Sequence, residues 1–132
     1  MAVNIAGQTI TGNAPITDTP RTKSGRISFD ATAIVAADEV VVTLGFTPTY
    51  IVWENVTDRI RNEWYEGMAV NSSINTVAAG TRTLSVTGTN GGFTVCDADG
   101  TANAAGRSVK ILQNATLGAV LASKVCNWRA VG

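Results

Sequence analysis

Residues 49–66 read Thr49-Tyr50-Ile51-Val52-Trp53-Glu54-Asn55-Val56-Thr57-Asp58-Arg59-Ile60-Arg61-Asn62-Glu63-Trp64-Tyr65-Glu66, and their patterning decides the fold class. Side chains alternate across an extended chain, so Tyr50, Val52 and Val56 share one face and Ile51 and Trp53 the other. Both faces are apolar at the start, which predicts a strand inside a packed sheet. Thr57-Asp58 reads as a turn. From Arg59 to Glu66, Ile60, Asn62 and Trp64 alternate with Arg61, Glu63 and Tyr65, the period of a half-exposed strand. Two such segments flanking a turn predict a hairpin.

Working outward, the same punctuation recurs. Glu39 to Leu44 carries a β-branched run that favours a strand, and Gly45-Phe46-Thr47-Pro48 is a turn. Ala31 to Asp38 is Ala-rich and predicts a short helical turn. Ile27 and Phe29 alternate with polar residues from Arg26 onward. Ahead of them, Thr17 to Gly25 reads as loop, and residues 1–25 as an extended N-terminal arm broken by Pro15 and Pro20. On the other side, Gly67 to Ala79 shows no clear period. Thr81 to Val86 and Phe93 to Cys96 read as strands, and Asn90-Gly91 between them supports a type I′ hairpin turn. Asp97 to Gly106 is a loop and Arg107 to Leu112 a strand. Asn114 to Ala122 is ambiguous between helix and strand, and Ser123 to Val131 reads as a strand anchored by Val125 and Trp128. The sum is an all-β chain of short strands, a single-domain β-sandwich of jelly-roll type over residues 26–132.

Composition narrows the function. The 132 residues suit one domain, and only 15% are charged, with ten Lys plus Arg against ten Asp plus Glu. A zero net charge argues against packaging nucleic acid, which needs excess cations to displace counterions. No histidine is present, so the usual general base and the commonest zinc ligand are missing. No apolar run reaches the roughly 18 residues of a membrane helix. Met1-Ala2-Val3-Asn4 lacks the basic and apolar regions of a secretion signal, so the expected site of synthesis is the cytoplasm. Neither a cofactor nor an enzymatic activity is expected.

Candidate sites follow from residue type and spacing. Asp97-Ala98-Asp99-Gly100 opens like a calcium loop, but the twelfth position is Ser108 instead of the required Glu, so a polar turn is expected. Cys96 and Cys126 are expected to be buried free thiols. Glu54, Asp58, Glu63 and Glu66 sit among Arg59 and Arg61, and cross-strand ion pairs explain them more simply than a paired-carboxylate active site. Arg21, Lys23 and Arg26 form the one local basic cluster, a candidate for docking on an acidic protein surface. Trp64 and Tyr65 put adjacent aromatics on opposite faces of one strand, so one of the two is a candidate for a partner interface.

The words Gly45 to Arg59, Glu63 to Met68, Ala79 to Leu84, Gly92 to Val95 and Asn127 to Ala130 together resemble small virion structural proteins of tailed bacteriophages. That group includes capsid decoration or cement proteins with β-sandwich or jelly-roll folds. The likeness spans residues 45–130 and holds no catalytic signature. It implies a protein of the virion surface that binds the major capsid protein, forms a dimer or trimer, and contacts neither nucleic acid nor membrane. Two alternatives remain open: a tail, neck or head-fibre component, and a carbohydrate- or host-surface-binding module.

Overall fold

The computed structural model describes residues 21–34, 38–86, 91–112 and 117–132. They hold nine strands: β1 (Thr22–Ser28), β2 (Glu39–Thr43), β3 (Tyr50–Asn55), β4 (Ile60–Tyr65), β5 (Ser73–Thr76), β6 (Arg82–Ser85), β7 (Phe93–Cys96), β8 (Ser108–Leu112) and β9 (Val125–Val131). No helix occurs among the described residues. Two antiparallel sheets result, one of six strands in the order β1-β9-β3-β4-β5-β6 and one of three in the order β2-β8-β7.

The β3–β4 hairpin forms as the alternation predicts, pairing Ile51 with Trp64, Trp53 with Asn62 and Glu54 with Arg61. Its turn is locked by side chains. The Asp58 N–H donates to Asn55 Oδ1 at 3.0 Å, Asn55 Nδ2 donates back to Asp58 Oδ2 at 3.1 Å, and Arg59 takes a positive φ of 59°. Ile51, Trp53 and Asn55 are buried, while Tyr50, Val52 and Glu54 alternate with them.

β9 is late in the chain but central in space, pairing β1 on one side and β3 on the other. It sets Trp128 opposite Gly25 of β1. A Cβ at residue 25 would lie 2.5 Å from Cζ2 of the Trp128 ring. Glycine therefore occupies this strand position because the indole crosses the backbone there.

One hydrophobic cluster draws on both sheets. Ile51, Trp53, Trp64 and Ala130 come from the larger sheet; Phe93, Val95, Val109 and Ile111 come from the smaller. The sheets join at one corner, where the Phe93 N–H donates to Ser72 O at 3.0 Å and the Asn71 N–H donates to Phe93 O at 2.9 Å.

The core is completed by Leu117, Gly118, Ala119 and Val120, all buried and all outside any strand. A buried loop strands its carbonyls away from water unless donors reach them. Here polar side chains reach in from the larger sheet. Trp53 Nε1 donates to Ala119 O at 2.8 Å and Asn55 Nδ2 to Gly118 O at 3.0 Å. Asn62 Nδ2 and Asn75 Nδ2 donate to Leu117 O at 3.3 and 2.9 Å. The plug explains why Asn55 and Asn62 stand at inward-facing positions that patterning reserves for apolar residues.

Several expectations need correction. β1 begins at Thr22, so the loop expected over Thr17 to Gly25 gives way to strand from residue 22, and the 25/26 boundary falls inside β1. Residues 1–20, with the rest of the expected arm, lie outside the described residues. Ala31 to Ile34 hold no helical turn; 35–37 lie outside the described residues. The hairpin expected between 81–86 and 93–96 does not form, because β6 pairs β5 and β7 pairs β8 in the other sheet. Gly88 to Asn90 of its turn lie outside the described residues. The segment without clear period, 67–79, contains β5. Within 114–122, the described residues 117–122 are neither helix nor strand.

Candidate functional site

With Ile51, Trp53 and Trp64 turned inward, the opposite face of the larger sheet carries the charge. One row across the strands runs Arg26, Asn127, Glu54, Arg61, Thr76, Arg82. The next runs Ser24, Arg129, Val52, Glu63, Ile74, Leu84. Two adjoining depressions of about 620 and 430 Å³ lie on this face and share Glu54 and Arg61.

Glu63 organises the middle. It is only 9% exposed although it faces outward, because Tyr50 and Tyr65 flank it. Tyr50 Oη donates to Glu63 Oε2 at 3.0 Å, Tyr65 Oη donates to the same oxygen at 3.5 Å, and Arg82 Nη2 lies 3.6 Å from Oε1. The two tyrosine rings tilt against each other with centroids 4.9 Å apart. Burial, then the hydrogen bond to Glu63, pushes the Tyr50 phenol up to about 12. Tyr50 is thus held as the protonated donor to Glu63 at neutral pH. The cluster ties β3, β4 and β6 together through side chains on this face.

The basic cluster of the sequence does not survive as a cluster. Arg21 precedes β1, exposed, with its carbonyl accepting from the Gly132 N–H at 2.9 Å. Lys23 takes the other side of the strand from Arg26, and its Nζ donates to Thr43 O of the smaller sheet at 2.7 Å. Arg26 alone faces outward into the larger depression. Alternation within β1 separates them, since 23 and 26 have opposite parity. Trp64 is buried at 7% exposure in the core, and Tyr65 is 45% exposed, so the interface candidate of that pair is Tyr65. Arg129, Arg61 and Arg82 join Arg26 on this face. Parity within 123–131 separates Arg129 from the buried Cys126 and Ala130, but only strand order shows that β9 lies beside β1.

Three of the four carboxylates expected in ion pairs around the hairpin have them; Glu66 has none among the described residues. Glu54 meets Arg61 across the hairpin at 3.3 Å, as cross-strand pairing predicts. Glu63 meets Arg82 from β6 instead of Arg59 or Arg61. Asp58 meets Lys124 Nζ at 3.1 Å, and that hydrogen bond holds its carboxyl below the usual range. In the Asp97–Gly100 turn, Asp97 Oδ1 accepts from Asn103 Nδ2 and Asp99 Oδ1 from the Thr101 N–H, both at 2.9 Å. Cys96 and Cys126 are free and buried, in different sheets. Burial raises both thiols, Cys126 to about 11.

No family model, curated protein or solved structure matches this chain. The geometry gives a broad sheet face rich in arginine, with the exposed Tyr65 at the end of β4.

Proposed function

We propose that this chain is a phage capsid decoration (cement) protein. Its two sheets are read as a jelly-roll-like β-sandwich, and residues 1–21 as an arm leading into β1. It binds the outside of the assembled head, bridges neighbouring major capsid protein subunits and resists their separation. It acts without catalysis or cofactor, as a dimer or trimer on the virion surface, after synthesis in the host cytoplasm. The mechanism is mechanical. A protein that binds only the assembled shell stabilises that state by mass action. Ordering an arm costs entropy, which contacts along its length offset.

The observation that carries this reading is the exposed arginine face, held on the strands that contain the resembling words. Gly45 to Arg59 and Glu63 to Met68 supply β3 and β4, and Asn127 to Ala130 lies in β9. Fixed cations on a rigid sheet meet a repeating surface with little further ordering cost.

Quantitative peptide mass spectrometry on purified virions tests it. Hundreds of copies, in a simple ratio to the major capsid protein, are expected. A dozen or fewer would move the protein to the tail or neck, and none would exclude the virion.

A further inference from the structure

The cations of this chain are unevenly placed. Arg26, Arg59, Arg61, Arg82 and Arg129 line the two outer depressions, with only Glu54 and Glu63 among them. Five positive against two negative charges leave +3 on this face of a chain whose formal net charge is zero. Both glutamates are already engaged, Glu54 by Arg61 and Glu63 by Arg82. Arg26 and Arg129 are exposed, and among the described residues no carboxylate lies within 4.0 Å of either.

Their spacing is set by the sheet. Arg26 pairs with Asn127, and Arg129 lies two residues further along β9. Diagonal neighbours of this kind stand about 7–8 Å apart. An extended chain repeats its same-side residues every two positions, at about 6.4–6.8 Å. Guanidinium forks recognise carboxylates bidentately, and both forks here project from strands instead of loops. Val52 and Tyr50 lie in the same depression and offer apolar surface to the backbone of a guest.

We infer that the face around Arg26 and Arg129 receives an extended acidic segment of a partner polypeptide, with carboxylates at alternating positions. In the shell reading that partner is a capsid subunit, but the inference holds for any acidic protein and does not need the virion. Nucleic acid fits less well. Glu54 and Glu63 stand among the cations, and two arginines without a carboxylate partner among the described residues release few counterions.

The test uses the full chain and a labelled synthetic peptide of alternating Glu and Thr, followed by fluorescence anisotropy at low salt. Its Gln-for-Glu counterpart and an oligo-dT strand serve as comparison probes. The expected result is saturable binding of the acidic peptide only, weakened about tenfold or more by Arg26→Gln combined with Arg129→Gln. Arg107→Gln, which removes an exposed cation elsewhere, should leave binding unchanged. Amide shifts in the unaltered protein should cluster at Ser24–Arg26 and Asn127–Arg129, which decides the matter if the double variant fails to fold. No binding of the acidic peptide, equal binding of the Gln peptide, tighter binding of oligo-dT, or shifts confined elsewhere would overturn the inference. A virion lacking the protein would sink the shell reading and leave this one standing.

Discussion

The Trp53 indole N–H donates to the carbonyl oxygen of Ala119 at 2.8 Å, tying the middle of the larger sheet to a buried loop 66 residues away. Cys126 Sγ donates to the same oxygen at 3.1 Å. Trp53→Phe keeps most of the ring but removes the stronger donor and leaves a small void. A loss of about 2–3 kcal/mol is expected from urea unfolding, with the slope of the transition unchanged.

Gly118 holds the turn of that loop at φ +68°, and a Cβ there would lie 2.7 Å from Ile60 Cδ1. Gly118→Ala should cost about 2–4 kcal/mol, from the left-handed backbone and the collision together. Ile60→Val removes the colliding methyl. The double variant should therefore be less destabilised than the two single losses added, and a thermodynamic cycle reads that coupling.

Glu63→Gln tests the tyrosine cluster. Burial is the larger cause of the high Tyr50 value and the Glu63 carboxylate the next. The Tyr50 transition, followed by absorbance near pH 12, should move down while remaining above its ordinary value of 10. The linked stability has a definite sign. A raised phenol pKa stabilises fully below pH 10, and that stabilisation is lost as pH rises through about 12.

Asp58 gives the opposite window. Its carboxyl is held below the usual 3.8, first by the hydrogen bond from Lys124. The stability this contributes is complete above pH 3.8 and is lost as pH falls through the lower native value. Asp58→Asn should flatten the acid limb of a pH–stability curve relative to the unaltered protein. An unchanged acid limb would exclude Asp58 as its source.

Both thiols should resist alkylation in the native state, since burial disfavours the thiolate and blocks access. Intact-mass measurement should show no iodoacetamide adduct in buffer and two in denaturant. Rapid labelling of either residue in buffer would contradict its burial.

Strand identity was legible wherever alternation was clean. Tyr50 to Asn55 and Ile60 to Tyr65 announce their faces, and their cross-strand partners follow from the short turn between them. The β6–β7 misreading has a physical cause. A Gly-rich turn with Asn-Gly records only local backbone preference, while the partner of each strand is settled by packing far away in sequence. β5 stayed hidden because Ser73, Ile74, Asn75 and Thr76 are nearly all polar, and Ser73 and Asn75 face inward to bond Asn62. The plug at 117–120 is illegible for a different reason: Ala and Leu mark burial without marking conformation. The arginine face was half visible. Arg61 and Arg129 could be assigned a parity, but Arg26 and Arg129 become neighbours only once β9 lies beside β1.

That placement of β9 also fixes when the protein can exist. A ribosome that has reached residue 124 has delivered β1 and β3 without the strand that joins them, and the plug without Cys126 to help hold it. Until β9 is present, β1 has no partner in the larger sheet, and pairing the two carries the entropic cost of closing a long loop. Its arginine face is therefore complete only when β9 lies between β1 and β3, which brings Arg26 and Arg129 together across about a hundred intervening residues of chain.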